Sequence, residues 1–222
     1  MTPSRRDAKK NRKVGYYQRR NALSDLMTTD EVIQKFKNLG ALLEGHFLLS
    51  SGLHSSAYLQ CAIALQSTAD AIEFGAALAE RFKDERVETV ASPAIGGLII
   101  GYEVARQLGV RFIWTEREQG PMTLRRGFGV ARGERILVVE DVITTGGSTR
   151  DTIAALQSAG AQVVAAASII DRSGGAADVG VPRVSLATLN VPVLTAEACD
   201  ACKRGEPLVK PGSRKEGAVS SE

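Results

Sequence analysis

Glu140 and Asp141 are adjacent carboxylates followed by a run of small and hydroxylated residues: Val142, Ile143, Thr144, Thr145, Gly146, Gly147 and Ser148. Glycines let the backbone turn tightly and bring N–H groups close to a ligand. The three hydroxyls add further donors. Such a loop suits a phosphate. The carboxylates cannot serve that phosphate, because like charges repel. They suit the vicinal hydroxyls of a ribose, or a Mg²⁺ reached directly or through water. Together the residues read as a ribose 5-phosphate site. No lysine follows the glycines, which excludes a Walker A loop. G-x-G-x-x-G is absent from the run, which excludes a dinucleotide fingerprint.

Such a site must be held by regular structure on both sides. Ile136, Leu137, Val138 and Val139 are all aliphatic and predict a buried parallel strand that ends at the acids. Ser148 predicts an N-cap, with Asp151 three residues on in capping-box spacing. The helix then runs through Ile153 and Leu156 to a stop at Gly160. Its N-terminus carries partial positive charge and unpaired N–H groups, which favour an anion. In open α/β sheets, ligands bind outside the carboxyl ends of the strands, and the acids and loop fall at that place.

The same rhythm continues along the chain. Thr28 and Glu31 open a helix carrying Val32, Ile33, Phe36 and Leu39, closed by Gly40. Residues 41–65 have too little helical period and read as short strands and turns. Ser67 and Asp70 cap a second helix, with Gly75 and Ala76 as small packing residues. Further strands are expected over 87–91, 110–114, 135–139, 162–170 and 183–189, the last near a sheet edge. A helix over 98–108 ends at Gly109. Strands alternating with helices predict a parallel sheet with crossover helices. Pro93 to Gly97 forms a second glycine loop between strand and helix. Residues 115–127 form a long polar link between strands, with Gly120 and Gly127 as hinges. Loops of that length in a compact domain are often lids.

Composition bounds the class. At 222 residues with 44% hydrophobic content, one domain with a full core is expected. No apolar run reaches the length of a membrane span. The net charge of +3 is too small to imply nucleic-acid binding. Arg5, Arg6, Lys9, Lys10, Arg12, Lys13, Arg19 and Arg20 concentrate positive charge in the first 20 residues, opposed only by Asp7. Residues 1–26 read as a disordered basic tail, and 209–222 as a second disordered tail around a domain of 27–208. The basic tail is open to three readings: polyanion contact, an address signal, or an upstream start codon with Met27 as the alternative start. The last is preferred. Three cysteines, an odd count, suggest a reducing compartment and a cytoplasmic protein. Cys199 and Cys202 form one C-x-x-C, and zinc would need two more ligands. Cys61, His46 and His54 are distant in sequence, and a second copy is another source. The simpler reading is two reduced cysteines in a terminal turn. His46 and His54 receive no role beyond a turn or core hydrogen bond.

The run from Ile136 to Ser148 closely resembles the phosphoribosyl-pyrophosphate motif of type I phosphoribosyltransferases. Leu43 to Ser55 resembles the N-terminal signature of the orotate phosphoribosyltransferases among them. Ser92 to Gly97 resembles their pyrophosphate loop, and Ile169 to Gly175 their base-side segment. The likeness spans roughly residues 28–208. It implies an α/β fold with a parallel sheet flanked by helices, plus a small hood from the N-terminal segment and C-terminal region. It implies transfer of phosphoribosyl from phosphoribosyl pyrophosphate to orotate, giving orotidine 5′-phosphate and pyrophosphate in pyrimidine synthesis.

By that resemblance, Glu140, Asp141 and Arg117 are the catalytic residues. Arg117 and residues Glu140, Asp141, Val142, Ile143, Thr144, Thr145, Gly146, Gly147 and Ser148 bind phosphoribosyl pyrophosphate. Thr144 and Arg172 meet orotate, whose carboxylate suits a guanidinium. Mg²⁺ is expected as cofactor, carried by the substrate rather than by protein ligands. Two anion sites around one sugar site fit a phosphate at one end and a diphosphate at the other. The lid would exclude water from a sugar cation and reach across a homodimer interface, so that active sites are shared. The chain also departs from the family pattern. Lysines and a histidine are usual in the lid, but here Arg117, Arg125 and Arg126 are its only cations. Arg117 best matches a family lysine. Gly96 and Ser50 stand where lysines are usual. The alternatives are a purine phosphoribosyltransferase or a non-catalytic regulator that senses phosphoribosyl pyrophosphate.

Overall fold

The computed structural model describes residues 27–49 and 51–211. The basic tail over 1–26, Ser50 and residues 212–222 lie outside the described residues.

Strand β6 (Arg135–Ile143) shows how the sheet is built. Ile136 and Val138 enter one apolar cluster while Leu137 and Val139 enter another. Alternate side chains of a strand point to opposite faces, so a fully aliphatic strand needs a covered sheet on both sides. Helices α3 (Thr68–Glu80) and α4 (Gly97–Leu108) cover one face through Phe74, Leu78, Ile100 and Val104. Helix α5 (Gly147–Ser158) covers the other through Ile153 and Leu156.

The main sheet has six strands in the order β5-β4-β3-β6-β7-β8, with β3 (Thr89–Pro93), β4 (Arg111–Arg117), β5 (Met122–Leu124), β7 (Gln162–Asp171) and β8 (Arg183–Thr188). All neighbouring pairs are parallel except β4 with β5. The strand expected over 183–189 is one of the two edge strands. Strand β6 is longer than expected. Its pairing with β7 continues through Val142↔Ile170 and Ile143↔Asp171, so the acids lie within the strand's last residues rather than past its end.

Helix packing explains two glycines. A Cβ on Gly101 in α4 would stand 2.0 Å from Ser92 Oγ and 2.7 Å from Phe112. One on Gly75 in α3 would stand 2.7 Å from Glu103 Cβ. Glycine at these points lets α4 approach both the sheet and α3. The expected caps are present on α1 (Thr29–Asn38), where Thr28 and Glu31 form a capping box, and on α3, where Ser67 accepts from Asp70 N–H.

A second sheet joins the two ends of the domain. It consists of β1 (Leu42–Leu48), β2 (His54–Leu59) and β9 (Val193–Leu194), all antiparallel. This is the hood from both chain ends. Two expectations need correction here. Residues 41–65 are not all strand and turn, because Cys61–Leu65 form a short helix, α2. Its Cys61, Ala64 and Leu65 face the core, and five residues are too few to show a helical period. The domain also does not end at 208. Val209 N–H donates to His46 O at 2.9 Å, and Leu48 N–H donates to Val209 O at 2.8 Å. The polar composition of residues 209–222 as a whole gave no signal of this backbone pairing at Val209.

Candidate active site

The carboxyl ends of β3 and β6 lie next to each other, and the loops that leave them form one cleft of about 290 Å³. Pro93, Ala94 and Gly96 line one wall, and residues 140–149 line the other. Every residue from Glu140 to Ser148 expected to bind the phosphoribosyl substrate therefore faces this cleft. The peptide joining Ala94 and Ile95 is cis.

The two glycine loops fit around the acids. A Cβ on Gly96 would lie 2.8 Å from Asp141 Oδ1, and one on Gly97 would lie 3.3 Å from Glu140 Oε1 and 2.9 Å from Val139 O. Any side chain at either position would displace a carboxylate or backbone. The absence of a lysine at Gly96 thus has a local steric reason: Asp141 occupies the space its Cβ would need.

The acids are short of positive charge. Glu140 is buried, and burial followed by the neighbouring Asp141 charge pushes its carboxyl up to about 9. Burial also raises Asp141, although Val142 N–H donates to its Oδ1 at 2.8 Å. Neither acid makes a salt bridge among the described residues. Hard oxygen donors held in this state fit a divalent cation, a sugar hydroxyl or a developing sugar cation. Buried Cys61, just after β2, feels the same field. Burial and then the Asp141 and Glu140 charges raise its thiol well above its ordinary range. The foot of the hood therefore stands beside the acid pair.

Glu140 has a folded pKa above its unfolded value near 4.5. Its contribution to stability is fully present below about 4.5 and is lost as pH rises towards about 9. Glu140→Gln is expected to match the parent in urea unfolding at about pH 4.5 and to exceed it at about pH 8. Equal midpoints at both values would mean that the carboxyl titrates normally.

The phosphate loop departs from its sequence reading in one respect. The N-cap of α5 is Gly146, not Ser148, and no side chain caps the helix. Gly146 adopts φ 75°, a left-handed conformation that costs a side-chain-bearing residue strain. The helix thus begins one residue before Ser148, and its first N–H groups are left to the cleft rather than to a capping hydroxyl. Capping-box spacing could not reveal this, because it does not distinguish a cap from a first-turn hydroxyl. Arg150, which sequence reasoning missed, braces the loop. Its Nη1 donates to Thr145 O at 2.9 Å and Asp178 O at 2.6 Å.

Arg172 leaves β7 beside the end of β6, where its N–H donates to Ile143 O at 2.8 Å. Its neighbour in sequence is an acid, Asp171. That acid is engaged elsewhere: Arg183 Nη1 lies 2.6 Å from its Oδ2, and Ser173 N–H and Oγ–H donate to its Oδ1. Arg172 forms no salt bridge among the described residues.

The lid is more ordered than a polar link. Strand β4 runs to Arg117, and β5 returns antiparallel with Arg117 opposite Met122 and Thr115 opposite Leu124. Gly120 and Gly127 both have positive φ. The lid's cations are engaged within the chain. Arg126 pairs with Glu116, and Arg125 lies 3.6 Å from Glu118. Arg117 Nη2 lies 3.0 Å from Asp151 Oδ2 on α5, and its Nη1 donates to Gly120 O. Arg117 is thus outside the lining of the cleft in this state.

The class of protein follows from a family match that spans this cleft: a phosphoribosyl transferase domain matches residues 65–188. An orotate phosphoribosyltransferase of Caldicellulosiruptor bescii is 52% identical over 189 residues, covering 85% of this chain and 100% of that protein. One of Acidithiobacillus ferrooxidans is 53% identical over 194 residues, covering 85% and 98%. The crystal structure of orotate phosphoribosyltransferase from Aeropyrum pernix superimposes with a TM-score of 0.58 at 30% identity, covering 71% of this chain and 93% of that one. The chain belongs to the orotate phosphoribosyltransferase family.

Proposed function

We propose that the chain transfers the phosphoribosyl group of phosphoribosyl pyrophosphate to orotate, forming orotidine 5′-phosphate and pyrophosphate. The observation that carries this reading is the single cleft in which the Gly146 cradle and the Glu140–Asp141 pair converge, with Arg172 leaving the adjacent strand. The 5′-phosphate sits on the N–H groups and hydroxyls of residues 144–148. Asp141 and Glu140 hold the ribose hydroxyls and face the positive charge that develops at C1′ as its bond to pyrophosphate breaks. Orotate closes on C1′ from the Arg172 side, with Thr144 beside it. Mg²⁺ carried by the substrate would neutralise charge on the diphosphate, and Glu140 and Asp141 are the residues that could meet it. Positioning and electrostatics thus account for the catalysis.

Arg172 is assigned the orotate carboxylate. A hydrogen-bonded ion pair of this kind contributes about 1.5–3 kcal/mol. Arg172→Ala is expected to raise KM for orotate about 10- to 100-fold while leaving KM for phosphoribosyl pyrophosphate nearly unchanged. A base panel tests the assignment as a whole. Turnover should be confined to orotate, and turnover of adenine or hypoxanthine at a comparable rate would move the chain to the purine enzymes.

We further place the enzyme in the cytoplasm as a homodimer with shared sites. Free cysteines support a reducing compartment. Ile95, Ile99 and Tyr102 support a covered face, because these large apolar side chains are exposed beside the Pro93–Gly97 loop. In a dimer, closure of the lid would carry Arg117 from Asp151 to the partner's diphosphate. Arg117→Ala is expected to lower kcat strongly with little change in product binding. Mixed with Asp141→Asn subunits, it should regain partial activity, since one site then combines an intact acid with an intact lid. No recovery in verified heterodimers would confine the lid to its own chain.

A further inference from the structure

Far apart in sequence, His46, His54, Cys199 and Cys202 converge in the hood, with one donor atom from each inside a sphere where all lie within 4.8 Å of one another. His46 Nε2 stands 2.9 Å from His54 Nδ1 and 3.4 Å from Cys199 Sγ. Cys202 Sγ stands 3.5 Å from His46 Nε2 and 3.1 Å from His54 Nδ1. A tetrahedral zinc site with Zn–S near 2.3 Å and Zn–N near 2.0–2.1 Å separates its sulfur and nitrogen donors by roughly 3.5 Å, and its two nitrogens by roughly 3.3 Å. Four of the six donor pairs therefore already lie within about half an ångström of the spacing of one coordination sphere, and no pair exceeds 4.8 Å.

Three further features favour a metal over a chance meeting of polar groups. His46, His54 and Cys199 are buried, and Cys202 is half-buried, so the donors are aimed inward. His46 Nδ1 lies 3.1 Å from Glu206 O. A carbonyl only accepts, so Nδ1 carries the proton and the Nε2 lone pair points at the cluster. Outer partners of metal-bound histidines fix the tautomer in this way. Cys199 and Cys202 hold the C-x-x-C spacing at the start of the short turn α6 (Asp200–Lys203), with Cys199 as its N-cap. That spacing directs both sulfurs to one point.

We propose that these four residues bind one Zn²⁺ per chain as a structural site. Four protein ligands leave no open position for substrate or water, which is the mark of a structural rather than catalytic zinc. Two thiolates with two imidazoles in a tetrahedron also select zinc over Mg²⁺, which takes oxygen ligands. Cys61 is excluded from the sphere and stays with the acid pair. The consequence is mechanical. Among the described residues, the β1–β2 hairpin and the C-terminal segment are otherwise joined by the Val209 bridge to Phe47, the His46–Glu206 contact, and the pairing of β9 with β2 at Val193 and Leu194. The ion would cross-link the two chain ends that form the hood.

The test is metal analysis of the full-length protein purified under reducing conditions, followed by replacement with Co²⁺. The expected result is about one equivalent of zinc per chain. The cobalt form should show the intense visible bands of a tetrahedral ion and a thiolate-to-cobalt charge-transfer band. Cys202→Ser should lose both the equivalent and the charge-transfer band, whereas Cys61→Ser should keep them. Stripping the metal should lower the parent's melting temperature by several degrees and leave Cys202→Ser unmoved. If a variant fails to fold, the parent's stoichiometry and cobalt spectrum decide alone. A parent with only trace zinc and no thiolate band with cobalt would overturn the proposal. So would undiminished zinc in a folded Cys202→Ser, or a Cys199–Cys202 disulfide found in metal-free protein.

Discussion

Gly146→Val is expected to weaken binding of phosphoribosyl pyrophosphate, measured calorimetrically, by about 100-fold or more. Two causes act together. At φ 75° a β-branched residue is strained. Its Cβ would also lie 2.8 Å from Val179 Cγ1 and 3.2 Å from Arg150 Nη1. Relief requires the loop to move or Arg150 to leave Thr145 O and Asp178 O, and either change disperses the N–H groups that face the phosphate. Losing two charge-assisted hydrogen bonds, each contributing about 1.5–3 kcal/mol, gives the stated size. Gly147 provides the control. A Cβ there meets nothing closer than Thr145 Oγ1 at 3.7 Å, so Gly147→Ala should match the parent in melting temperature where Gly146→Val does not. Unchanged affinity in Gly146→Val would remove the cradle from the site.

Asp141→Asn should lower turnover by about 100- to 1,000-fold, the usual consequence of deleting one group aimed at transition-state charge. Its melting temperature should not fall. Asparagine keeps an oxygen for Val142 N–H, and it removes a half-buried charge whose pKa burial already raises. Loss of activity without loss of stability distinguishes a group that meets the reacting sugar from one that only packs. Activity within a few-fold of the parent, at normal stability, would show that the carboxylate does not face the developing cation.

The parts of this molecule legible in sequence are those encoded by local pattern. The aliphatic run Ile136–Val139 reads as a strand covered on both faces, and its side chains enter both apolar clusters. Thr28 with Glu31, Ser67 and Gly109 mark helix ends that the structure places where expected. The acid pair and glycine loop announce their cleft because few other arrangements need those residues together. What was not legible depends on contacts across long stretches of chain. Nothing near Arg150 says that it will brace Thr145, since its second carbonyl partner is 28 residues away at Asp178. The lid's antiparallel return is three residues long, too short for alternation to show. The meeting of His46 with Cys199 spans 153 positions, and neither residue is unusual in its own neighbourhood.

The most direct measurement is turnover by the purified chain given orotate, phosphoribosyl pyrophosphate and Mg²⁺, with orotate loss, pyrophosphate release and orotidine 5′-phosphate formation followed together. The three should proceed in equal amounts, stop when the metal is chelated, and resume when it is restored. A chain that binds phosphoribosyl pyrophosphate in the cleft yet consumes no orotate would contradict the assignment of Asp141, Arg172 and the Gly146 loop to one catalytic site.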